Sequence, residues 1–155
     1  MTTTDDVAGV RRGTHHGFDA LLVDTPHATA AISVFGGQVL SFVPAGGRDV
    51  LWLSPLAAEP PTPIRGGIPL CWPYFGREGQ SDDVPSHGYA RTARWTLAAG
   101  RATDEGVELT MHPVGIESRY AIDAGLADVI DAIRAVNPAM VLEPMVCGYP
   151  PSPWW

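Results

Sequence analysis

Short apolar runs, separated by turn residues, occupy the first two thirds of the chain. Their β-branched and aromatic composition favours strands over helices. Gly36 and Gly37 separate two of these runs, a spacing typical of a hairpin. The predicted strands cover residues 18–23, 29–35, 38–43, 50–53, 89–98 and 107–111. The run at 50–53 is expected to be a short buried strand. This succession of short apolar runs and turns predicts antiparallel β-structure, as in a sandwich or barrel.

The pattern changes at both ends of the chain. Residues 1–17 are polar and are expected to form a flexible N-terminus. Beyond residue 112 the apolar positions fall at helical spacing, which predicts a short helix over residues 122–136, stopped by Asn137-Pro138. The predicted organisation is therefore a β-domain over 18–112 and a C-terminal segment of different character over 113–155.

Composition narrows the class of protein. With 155 residues and 45% hydrophobic content the chain suits one compact domain, and 17 glycines and 15 prolines favour many turns. The net charge is −7 and the ten basic residues, all arginines, form no basic run, which argues against nucleic acid as a partner. No apolar run is long enough to predict a membrane span or a secretory signal.

Cysteine and histidine positions offer no metal site or disulfide framework. Cys71 and Cys147 are far apart in sequence, which favours a reducing, cytoplasmic location. The adjacent His15 and His16 point apart and lack ligand spacing. No dinucleotide-binding or phosphate-loop motif is present.

An arginine beside two glycines carries the first sign of a binding site. Arg65 precedes Gly66 and Gly67 in an apolar loop that contains three aromatic residues, among them Tyr74. Glycine lets the backbone come close to a ligand, and the guanidinium suits a phosphate or carboxylate. An ordinary turn whose arginine pairs with a surface acid explains the local sequence at least as well, and core packing explains the aromatic residues.

A second group follows about twenty residues later. If the chain is extended there, His87, Tyr89 and Arg91 share one face, which gives an aromatic plane and hydrogen-bond donors for a sugar. Ser86 directly precedes them. The alternative is a solvated sheet face without a ligand.

These segments together resemble the hexose-6-phosphate mutarotases of the aldose 1-epimerase superfamily. The resemblance covers roughly residues 18–111 and depends most on Arg-Gly-Gly-Ile-Pro at 65–69 and His-Gly-Tyr-Ala-Arg at 87–91. It implies the N-terminal part of a galactose-mutarotase-like antiparallel β-sandwich, with the C-terminal helix outside the family pattern. It also implies interconversion of the α and β anomers of hexose 6-phosphates, without an organic cofactor.

The resemblance assigns substrate contacts but no catalytic residue. Arg65 and Arg91 match positions that hold the substrate, Ser86 matches a further contact, and His87 lies beside them, with Tyr74 as a pocket wall. The family's acid and base, a histidine and a glutamate, belong to later segments that this chain lacks. His112 and Glu143 are candidates by residue type alone.

Three hypotheses follow for the function. The first is an isomerase whose activity is impaired by the missing segments. The second is a non-catalytic module that binds sugar phosphates. The third is a fragment that self-associates through uncovered strand edges, as expected if a truncated or frame-shifted reading frame leaves half a sandwich.

Overall fold

The computed structural model describes residues 7–72, 74–77 and 79–114, together with the backbone of residues 132–136 and 140–141. These residues form strands and one short 310 helix, Ala90–Thr92. The strands are β1 Val10–His15, β2 Phe18–Asp24, β3 Ala28–Ser33, β4 Val39–Pro44, β5 Arg94–Thr103, β6 Gly106–Val114, β7 Ala132–Val136 and β8 Met140–Val141.

Two four-stranded sheets, each antiparallel throughout, make up the fold. The first has the order β1-β2-β3-β4 and the second the order β5-β6-β7-β8. Each strand pairs with its sequence neighbour because short turns join antiparallel strands without a crossover. The predicted mainly β, antiparallel class is confirmed, as is the hairpin between β3 and β4.

The main core lies between the two sheets. Leu21 and Ile32 from the first sheet share one apolar cluster with Trp95, Leu109 and Met111 from the second. Each large side chain in this cluster stabilises the fold by roughly 1.5–3 kcal/mol on burial. A second cluster contains Phe18, Ala31, Leu40 and Ile64, and it packs beneath the loop that carries Arg65.

The prediction of a flexible N-terminus is wrong for Val10–His15, which form the edge strand β1. Every residue of β1 pairs with β2, from Val10 opposite Val23 to His15 opposite Phe18. Most β1 side chains are polar and reach solvent, so apolar periodicity gave no signal there. Backbone hydrogen bonds to β2 hold the strand instead.

Residues 50–53 are not a buried strand. Val50 is 61% exposed and Trp52 is 64% exposed, and Leu53 forms an isolated bridge with Gly66. A run of four apolar residues predicts burial only if both of its faces are covered, and the exposure of Val50 and Trp52 shows that one face of this segment is open to solvent.

The helix predicted over residues 122–136 is wrong for its last five residues, which form a strand. Residues 122–131 lie outside the described residues, but Ala132–Val136 is the strand β7, paired with β6. The free edge of β6 offers hydrogen-bonding groups that a helix would leave without partners. In the described part of the chain, no helix is long and apolar enough to cross a membrane.

Candidate functional site

The turn between β3 and β4, residues 36–38, contacts both segments that carry the predicted arginines. We call it the central turn. The N–H of Gly36 donates to the carbonyl oxygen of Ala93 at 2.7 Å, and a Cβ on Gly36 would lie 2.8 Å from the carbonyl oxygen of Arg91. On the other side, the carboxamide of Gln38 donates to the carbonyl oxygen of Gly66. The turn therefore joins two segments that are remote in sequence.

Residues 64–68, the arginine loop, lie directly against β4. The N–H of Ile68 donates to the carbonyl oxygen of Val39 at 2.8 Å. Gly67 has a φ of +61°, and a Cβ there would overlap the same Val39 oxygen. Only glycine tolerates both conditions. Arg65 itself is exposed, while Ile64 beside it is 5% exposed and belongs to the second apolar cluster.

Residues 74–89, the histidine loop, close on themselves through His87 and Gly76. The N–H of His87 donates to the carbonyl oxygen of Gly76 at 2.7 Å, and the N–H of Gly76 donates to Nδ1 of His87 at 2.9 Å. Because Nδ1 accepts, the neutral ring carries its proton on Nε2, which is then a donor. The Ser86 hydroxyl reaches the same Gly76 oxygen at 3.4 Å, and Phe75 packs edge-on against the His87 ring at 4.6 Å.

Tyr74 supports the histidine loop from within. Its side chain is 6% exposed and its hydroxyl donates to the carbonyl oxygen of Pro85 at 2.9 Å. The ring meets that of Tyr89 edge-on at 6.3 Å. Burial raises the pKa of the Tyr74 phenol, and the hydrogen bond and charge of Tyr89 raise it further. Tyr74 is therefore a neutral group that fixes the loop.

Arg91 lies in the 310 helix, half-buried. Within the described residues, its Nε is the one buried side-chain nitrogen or oxygen without a hydrogen-bond partner. Its charge also reaches Cys71: burial raises the pKa of this thiol, and the nearby guanidinium of Arg91 opposes that rise. The Nε–H of Arg91 thus has no acceptor among the residues that the structure describes.

The premise that His87, Tyr89 and Arg91 share one face of an extended strand is wrong. His87 has a φ of +66° and Gly88 of +72°, and the 310 helix follows before β5 begins. Left-handed residues and a helical turn both break the alternation of faces. The structure instead places Ser86 and His87 together at Gly76, while the backbone of Arg91 lies against Gly36 of the central turn.

Gln38 is the site-building residue that sequence analysis missed. It is 1% exposed and donates to the arginine loop. The available signal was one amide side chain at the start of an otherwise apolar run. Trp72, another of the three aromatic residues near Arg65, is 4% exposed and belongs to the main core, as the core-packing alternative predicts.

The candidate acid and base remain unassigned. His112 lies on β6 opposite Thr96, within the second sheet. Glu143 lies outside the described residues. Among the residues that are described, no group of three or more His, Cys, Asp or Glu side chains is arranged to hold a metal ion. What the described loops offer is two guanidinium groups, a hydroxyl and an imidazole N–H, a donor set for phosphate and sugar hydroxyl oxygens.

Comparison with known protein families identifies relatives for most of the described region. The model of the aldose 1-epimerase family matches residues 19–122. A Salmonella typhimurium protein and an Escherichia coli K12 protein, each named "Putative glucose-6-phosphate 1-epimerase", are both 42% identical over 93 residues. Those residues are 59% of this chain and 31% of each relative, so the chain spans about a third of the length of these curated relatives.

Solved structures agree with the sequence comparison. The crystal structure of a "putative mutarotase" from Salmonella typhimurium superposes with a TM-score of 0.63 at 35% identity, over 74% of this chain and 40% of that one. The crystal structure of HI1317 gives 0.60 at 32% identity, over 72% and 40%. The predicted mutarotase-like fold is thereby confirmed.

Proposed function

Because the chain belongs to the aldose 1-epimerase family, we propose that it forms the substrate-holding part of a hexose-6-phosphate mutarotase. The reaction interconverts the α and β anomers of a hexose 6-phosphate, an isomerisation that needs no organic cofactor. The names of these relatives point to glucose 6-phosphate as the substrate to test. We place this function in the cytoplasm, as the cysteine usage favours.

The unpartnered Nε of Arg91 carries this proposal. A buried donor without an acceptor costs about 1–3 kcal/mol, more when it is charged. A phosphate oxygen would remove that cost and add a charge-assisted hydrogen bond. Arg65 is exposed, and we assign it to the same dianion. Two guanidinium groups balance the charge of one phosphate.

Sugar hydroxyls are assigned to the histidine loop. The Nε2–H of His87 is a donor because Nδ1 is occupied by the Gly76 N–H. Ser86 lies next to it, and its hydroxyl can exchange the long 3.4 Å bond to Gly76 for a ligand oxygen. Tyr74 forms the wall behind them and fixes the loop through Pro85.

The chemical step requires proton transfer at two oxygen atoms. A general base removes the proton of the anomeric hydroxyl while a general acid protonates the ring oxygen, which opens the ring. Rotation about the C1–C2 bond and closure then give the other anomer. The residues described above hold and orient the sugar phosphate, and we assign neither proton transfer to them.

A non-catalytic sugar-phosphate-binding module is the second candidate. The observation in its favour is that the proposed binding groups of Arg65, Ser86, His87 and Arg91 are all among the described residues, whereas we assign no acid–base pair there. A self-associating fragment, the third, would show a molecular size that depends on protein concentration in sedimentation experiments.

Anomer exchange of glucose 6-phosphate, measured by NMR magnetisation transfer, tests the proposal. We expect binding by the wild-type chain and at least a tenfold loss of affinity in Arg91→Ala, from the removal of a charge-assisted hydrogen bond. Arg48→Ala, on an exposed turn, is the matched control and should bind as the wild type does. Exchange above the buffer blank identifies the isomerase, and binding without exchange identifies the module. A folded protein that binds no sugar phosphate would refute both.

A further inference from the structure

Trp52 lies opposite the arginine loop in a short antiparallel ladder. The N–H of Gly67 donates to the carbonyl oxygen of Trp52 at 2.8 Å, and the N–H of Ser54 donates to that of Arg65 at 3.1 Å. These two bonds flank the bridge between Leu53 and Gly66. Trp52 is therefore opposite Gly67, and Arg65 is its diagonal neighbour across the ladder.

Burial shows which side of the ladder faces outward. Leu53 and Ile64 pack into the second apolar cluster, on the inner side. Trp52, at 64% exposure, and Arg65 are both exposed, and each is the chain neighbour of one of those inward residues. Diagonal neighbours in an antiparallel pair lie about 7–8 Å apart, a separation that long and aromatic side chains can span. The indole and the guanidinium thus belong to one outer surface.

Their chemistry is complementary to the two halves of a sugar phosphate. A pyranose ring has an apolar face of C–H groups, which an indole plane covers well, and the phosphate suits the guanidinium. Val50 and Leu56 are also exposed on this segment, but neither has a planar face.

We propose that Trp52 is a specificity-determining residue whose indole stacks on the pyranose ring of the substrate while Arg65 contacts its phosphate. This inference rests on the proposed function, because it uses the same ligand and the same arginine. It adds a contact that selects a phosphorylated sugar over a bare phosphate.

Calorimetric titration with glucose 6-phosphate and with inorganic phosphate tests the stacking. We expect Trp52→Ala to weaken glucose 6-phosphate binding roughly fivefold and to leave phosphate binding unchanged. Trp52→Phe keeps an aromatic plane and should restore most of the affinity. Leu56→Ala, 88% exposed in the same segment, is the matched control. Arg65→Ala should weaken both ligands.

Each other outcome overturns the inference in a recognisable way. If Trp52→Ala binds glucose 6-phosphate like the wild type while Arg65→Ala does not, the stacking is refuted and the proposed function stands. If Trp52→Ala weakens the binding of glucose 6-phosphate and of phosphate equally, Trp52 positions Arg65 and does not contact the ring. If Trp52→Ala sediments as a smaller species than the wild type and binds glucose 6-phosphate with unchanged affinity, Trp52 faces a second copy of the chain. A wild-type chain that binds neither ligand refutes the proposed function as well. Thermal melting of each variant verifies that it is folded.

Discussion

The carboxamide of Gln38 donates hydrogen bonds to two carbonyl oxygens of the arginine loop, those of Gly66 and, at 3.4 Å, Ile64. Gln38 is 1% exposed, so both bonds are shielded from water. One buried side chain thus links the central turn to the segment that presents Arg65. The same turn lies against the backbone of Arg91 through Gly36, so it contacts both arginine-bearing segments.

Replacing Gln38 should therefore affect stability and binding together. Gln38→Met keeps the approximate volume but leaves two buried carbonyl oxygens without this donor, which costs about 1–3 kcal/mol of unfolding free energy. Urea unfolding measures that loss, and titration with glucose 6-phosphate measures the accompanying weaker binding. Gln80→Met, in an exposed loop, is the control. A variant with lower stability and unchanged affinity would separate Gln38 from the site.

Two glycine substitutions separate the cost of a left-handed conformation from the cost of the close backbone contact between the arginine loop and β4. Gly46 and Gly67 have similar φ values, +70° and +61°, but only Gly67 has backbone within contact distance of an added Cβ. Gly46→Ala should cost about 1–2 kcal/mol from the left-handed conformation alone. Gly67→Ala should cost more, since the carbonyl of Val39 must move. Equal losses in urea unfolding would show that the loop adjusts without cost.

The thiol of Cys71 should report the charge of Arg91. Burial raises the pKa of Cys71 and the positive charge of Arg91 lowers it, so Arg91→Ala should raise the pKa further. At a fixed pH near 8, alkylation by iodoacetamide should then slow several-fold, because less thiolate is present. The measurement uses a Cys147→Ser background so that one thiol reacts.

Arg48→Ala is the control for this experiment and should leave the rate unchanged. Glucose 6-phosphate added to the wild type should slow alkylation in the same direction, because a bound anion offsets the charge of Arg91. A rate that is the same in Arg91→Ala and in the wild type would contradict the electrostatic coupling.

Acid stability should depend on Asp49. Burial alone would raise its pKa, but hydrogen bonds from the Ser41 hydroxyl at 2.5 Å and from the N–H groups of Leu51 and Phe42 lower it overall, with a small contribution from His15. A lowered folded-state pKa stabilises the protein above the unfolded value, near 3.8, and that contribution disappears as pH falls through the folded-state pKa.

Asp49→Asn should remove this pH-dependent contribution, which is less than about 1 kcal/mol because the group is largely solvated. Urea midpoints between pH 6 and pH 2.5 measure it: the wild type should lose stability more steeply than the variant below about pH 4. Asp82→Asn, on an exposed loop, serves as the control. Parallel curves for wild type and Asp49→Asn would contradict the prediction.

The sequence by itself determined those strands and turns that depend on residues close together along the chain. Strands β2, β3, β4 and β6 follow from apolar runs bounded by turn residues, and the hairpin at Gly36-Gly37 follows from the need for positive φ. The motifs around Arg65 and His87 were also visible, because the residue types that bind phosphate and hydroxyl oxygens are few.

Tertiary structure decided everything that depends on a neighbouring backbone. Strand β1 exists because β2 offers an edge, and β7 because β6 does, although neither segment has a strand pattern of its own. Trp52 is exposed because nothing in the described residues packs over the outer face of its segment, whereas Leu53 packs inward against the second apolar cluster. The segments that carry Arg65 and Arg91 meet at one turn because Gly36 contacts one of them and Gln38 the other, and no spacing along the chain encodes a contact that only folding creates.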